Sequence, residues 1–80
     1  MMTTPEDEPR SPWPPPIVVH PVMQGDPPFR SVEINGELAG IARDLVELLD
    51  LAYSAGLKHI DLDDPAQVRW VGGAKYKWVL

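Results

Sequence analysis

RSVEINGELAGIARDLVELL, residues 30–49, holds a turn, the two strands it joins and the start of a helix. Asn35-Gly36 is the strongest short hairpin signal in the chain, because both residues tolerate the positive φ of a type I′ turn. A two-residue loop pairs Ile34 with Glu37, Val32 with Ala39 and Arg30 with Ile41. Side chains alternate along a strand, so Val32, Ile34, Ala39 and Ile41 share one face and Ser31, Glu33 and Leu38 the other. The helix follows at once. Asp44 and Glu47 stand three apart, as in a capping box, where the first carboxylate accepts from free amides and the second reaches back. Ser54-Ala55-Gly56-Leu57 supplies the stop, with Gly56 at the left-handed position and Leu57 as its hydrophobic follower. The spacing predicts helix from about Leu45 to Ala55.

Downstream, HIDLDDP (59–65) reads as a strand with Ile60 and Leu62 inward, and Asp64-Pro65-Ala66-Gln67 as a turn or a single helical turn, with Asp64 as its cap and Pro65 at the first position. QVRWVGGAKYKWVL (67–80) reads as a second hairpin. A three-residue loop, Gly72 to Ala74, puts Val68, Trp70, Tyr76, Trp78 and Leu80 on one face and Arg69, Val71, Lys75 and Lys77 on the other.

Upstream, nine of the ten prolines fall within residues 1–28, which divides the chain into a proline-rich arm (1–28) and a compact domain (29–80). The arm reads as disordered or extended in polyproline II. Within it IVVHPVM (17–23) is β-prone, but Pro21 reduces it to an edge strand or none. The expected fold is α+β: hairpin, helix, strand and hairpin make a small antiparallel sheet with one helix packed across it.

Bulk properties narrow the function. A domain of roughly 50 residues can hardly enclose the walled cleft that catalysis needs. With no cysteine, disulfides and thiolate-bound metal are excluded. No apolar run is long enough for a bilayer, and the acidic MMTTPEDEPR start lacks the core of a secretory signal, so the expected location is cytoplasmic. A net charge of −5 disfavours non-specific binding to nucleic acid or anionic membrane.

His59, Asp61 and Asp63 would point the same way on a strand and invite a metal reading. Same-face neighbours on one strand are about 7 Å apart, whereas ligand bonds of about 2.1 Å demand convergence. We therefore expect these side chains to be solvated and no metal to be bound. Paired carboxylates need one buried member to act as acid and base, and no glycine-rich loop leads into a helix to hold phosphate. The chain is not expected to be an enzyme, to carry a cofactor or to hold a small-molecule substrate.

The helix is more informative. Arg43, Glu47, Asp50 and Ser54 form one polar stripe, which leaves an apolar arc of roughly 220° where a one-sided helix needs about 100°. A sheet face covers about half of that arc, and the remainder is left for the IVVHPVM segment folded back, a second copy of the chain or a different protein. Val46, Leu51 and Tyr53 lie off the centre line and are candidates for binding a protein partner or a second copy as a homodimer. Trp13, an aromatic in a polar arm, is a fourth. The alternative is a nucleic-acid-binding regulator that acts as a dimer through Arg69, Lys75 and Lys77 on the outer face of the C-terminal hairpin.

Overall fold

The structure is a computed structural model that describes residues 15–80; Trp13 and the rest of residues 1–14 lie outside the described residues. It has one helix and a four-stranded mixed sheet. The strands are β1 (Ile17–Met23), β2 (Phe29–Ile34), β3 (Glu37–Ala42) and β4 (Val68–Trp70), and helix α1 spans Leu45–Ser54. The sheet order is β3-β2-β1-β4. The expected small α+β architecture is present. The expected purely antiparallel sheet is not, because β4 runs parallel to β1.

The central turn forms as its residues dictate. Asn35 and Gly36 have φ of 54° and 85°, and Ile34 pairs with Glu37. Beyond that point the register departs from the expectation. Leu38 faces Glu33 but Gly40, not Ala39, faces Val32, so Ala39 is the extra residue of a β-bulge. A one-residue slip reverses the faces. Ala42 is buried where Ile41 was expected, and Ala39 and Ile41 are exposed. The helix accounts for the slip. Gly40, at φ 154°, lies under Leu51 so closely that a Cβ on it would stand 3.1 Å from Leu51 Cδ2.

Both ends of α1 follow the sequence. The Asp44 carboxylate accepts from the Glu47 amide at 2.9 Å, and Glu47 reaches back to the Arg43 amide at 2.7 Å. At the other end the amides of Leu57 and Gly56 donate to the carbonyls of Ala52 and Tyr53, the paired bonds of a Schellman stop.

β1 comes from IVVHPVM, and it is an inner strand between β2 and β4 rather than an edge. Pro21, which has no amide to give a ladder, falls where the β1–β2 register skips between Val19 and Val22. The core is Ile17, Val19, Val32, Ile34, Ala42, Leu48, Ala52 and Val68. Leu45 and Leu51 of α1, and Leu57, Ile60, Leu62 and Trp78 of the irregular stretches on either side of β4, close over it as the second layer, together with Trp70 of β4 itself.

Two expected elements do not form. His59 takes φ 55°, which ends any extended run at residues 59–62. Asp61 then makes a turn instead: its carboxylate accepts from the Asp63 amide and its carbonyl from the Asp64 amide. The alternation still holds, since Ile60 and Leu62 pack on the core. Asp64 caps as expected, its side chain accepting from the Ala66 amide and its carbonyl from the amides of Gln67 and Val68.

The C-terminal hairpin is also absent. Only Val68–Trp70 is strand, and residues 71–78 arch over Arg30 instead of returning along β4. Arg30 is 0% exposed, and its five donors each reach a main-chain carbonyl. Nε donates to His20 at 2.7 Å, Nη1 to Ala74 and Lys77, and Nη2 to Val71 and Gly73. Trp70 and Trp78 flank the guanidinium at 5.4 and 5.5 Å and meet edge to face. Carbonyls bound to Arg30 are lost to a strand ladder, which explains the irregular path. Gly72 permits it, because a Cβ there would lie 2.8 Å from that of Pro21.

Candidate functional site

β3 is the last strand of the sheet, and among the described residues it pairs with β2 alone. Bonded and non-bonded pairs alternate in an antiparallel ladder, and the pair that closes a two-residue turn is bonded. Glu33–Leu38 and Ser31–Ile41 are therefore non-bonded pairs, and the main-chain groups of Leu38 and Ile41 point to the free edge. The Leu38 side chain is 70% exposed and that of Ile41 is also exposed.

Beside this edge, α1 returns antiparallel to β3 and leaves an open cleft of about 290 Å³. Ile34, Leu38, Ala39, Leu51 and Ala55 give it an apolar lining, and Glu37 and Ser54 stand with them. A second hollow, of about 180 Å³, lies between Leu62, Pro65, Val68 and Trp70, with Lys75 and Asp63 bonded to each other at 2.7 Å beside it.

The residues singled out from the sequence fall in different places. Leu51 is half-buried and lines the cleft. Val46 and Tyr53 are 67% and 54% exposed. At 100° per residue they share a stripe of α1 that looks roughly 150° away from Leu51. The three are thus not one surface. Leu38, Ala39 and Ala55 were missed, although Leu38 carried a signal: it is an aliphatic residue on the face shared by Ser31 and Glu33.

Of the basic trio, Lys75 is bonded to Asp63 and lies 5.2 Å from the Tyr76 ring centroid. Arg69 lies on β4 beside Val18, and the Lys77 carbonyl holds Arg30. The bond to Asp63 raises the Lys75 pKa above its ordinary 10.5, whereas burial lowers that of the Arg30 guanidinium. His59, Asp61 and Asp63 are exposed, and among the described residues no three His, Cys, Asp or Glu side chains gather as a cation site. No helix among them is long and apolar enough to cross a membrane.

Among the described residues, fold and site define a small α+β domain with a free sheet edge beside an apolar cleft. Compared with protein-family models, curated proteins and solved structures, the chain matches none.

Proposed function

We propose that the protein is a small, acidic, non-enzymatic protein-binding module of adaptor, inhibitor or neutraliser type. The observation that supports this most is the free edge of β3 lying along the apolar cleft under Leu51. Natural sheets blunt such edges with lysine, proline or a covering segment. Here the outward residues are Leu38 and Ile41, and Glu37 is the one charge on the strand. The cleft is small and open, which suits one anchoring side chain better than an enclosed substrate.

The test is capture from the native cell lysate together with the mass of the purified protein in solution. Wild type is expected to retain a stoichiometric partner, and Leu38→Glu to lose about 90% of it. Because Leu38 is exposed, that variant is expected to stay within about 0.5 kcal/mol of wild-type stability. A monomeric wild-type chain that retains no protein above background rules the reading out.

A further inference from the structure

We propose that the occupant of the β3 edge and its cleft is an extended, basic and apolar segment of a partner protein, bound as an added strand. The inference rests on the protein-binding reading and specifies its chemistry. Leu38 and Ile41 offer the incoming chain main-chain donors and acceptors that β2 does not use. Strand addition gains its affinity from such groups and its specificity from alternate side chains that drop into pockets. The cleft of about 290 Å³ between Ala39, Leu51 and Ala55 is that pocket, sized for one leucine or larger apolar side chain.

Charge selects the partner. From Glu37 to Ser54 the chain carries Glu37, Asp44, Glu47 and Asp50 against Arg43 alone, and Arg43 is held by Glu47 at 3.1 Å. A second copy docked edge to edge would bring these carboxylates against their like, which interfaces avoid. A lysine- or arginine-bearing strand instead complements them. The bulge at Ala39 limits the register to pairing at Leu38, with a break before Ile41.

The experiment is an NMR titration of the ¹⁵N-labelled full chain with a capped hexapeptide alternating lysine with leucine and valine. Saturable amide shifts are expected at Leu38, Ile41, Leu51 and Ala55. Replacing the peptide's lysines with glutamates, or N-methylating alternate amides, should weaken binding by about tenfold or more. Leu38→Pro should abolish it, because the alternation of the ladder turns that amide away from β2 and toward the incoming strand; should Leu38→Pro unfold the chain, Leu38→Lys, which sets like charge against the peptide, serves in its place.

Absent or unsaturable shifts, shifts at other residues, or equal binding of the N-methylated or charge-reversed peptide overturn the proposal. So does concentration-dependent broadening at Leu38 without peptide, which would identify a second copy as the occupant. If the peptide fails while Leu38→Glu still loses a captured partner, the strand chemistry is wrong and the protein-binding reading stands. If capture fails too, both fall.

Discussion

Arg30 shows how much one side chain can organise. A buried cation is costly unless every donor is satisfied, and here five carbonyls satisfy it while two indole faces meet its positive plane. Lysine cannot reproduce this, since its compact ammonium has three donors and no fork. Arg30→Met should cost about 3–5 kcal/mol, and Arg30→Lys nearly as much, measured as the loss of unfolding free energy in urea. An Arg30→Lys penalty under about 1 kcal/mol would show that charge alone suffices. Part of this was legible: Arg30 has the strand parity of Val32 and Ile34, so the alternation that marks the core also points a guanidinium into it. Its partners were not legible, because main-chain carbonyls of residues 71–77 leave no mark on sequence.

Lys75 answers to pH instead. Its folded pKa is raised, so its bond to Asp63 contributes stability that is fully present below pH 10.5 and is lost as pH rises through the raised value. Lys75→Met should therefore differ from wild type in melting temperature at neutral pH and converge with it in strong alkali. A gap that persists unchanged there would mean that the lysine stem, not its charge, is what packs.

At the scale of elements, local signals were read well and non-local ones were not. The Asn35-Gly36 turn, the Asp44 cap and the Gly56 stop are each decided within a few residues, and each formed. The bulge at Ala39 depends on where Leu51 lands, and α1 must exist before that contact does. Two substitutions separate these cases. Asp44→Ala should lower stability by about 1 kcal/mol through the lost cap. Gly40→Ala should cost about 1–3 kcal/mol, because it places a Cβ against Leu51 on a backbone that L-residues avoid. Pairing Gly40→Ala with Leu51→Ala apportions that cost. If the double variant is no better than the sum of the two single ones, the crowding is not the cause.

In the molecule as a whole, β3-β2-β1 is joined by short connections, whereas β4 returns to β1 from about 50 residues away. A sequence reading that follows neighbours will find the first group and miss the second, and the expected C-terminal hairpin failed for that reason. The same asymmetry bears on dynamics. β4 is clamped by Ile17 donating to Gln67 and Val71 donating to Val19, and beyond it the chain is tied down mainly through Arg30. Opening that segment breaks few ladder bonds and leaves the β2–β3 hairpin and α1 packed on each other. Native-state hydrogen exchange should therefore resolve two units. The amides of Ile17 and Val71 and the Trp70 indole, which donates to the Leu62 carbonyl, should open together with a small denaturant slope. Their opening free energy should lie about 1 kcal/mol or more below that of the β2–β3 amides. Equal free energies and slopes throughout would instead make the chain one cooperative unit, with Arg30 as part of its core rather than the fastening of a separate C-terminal segment.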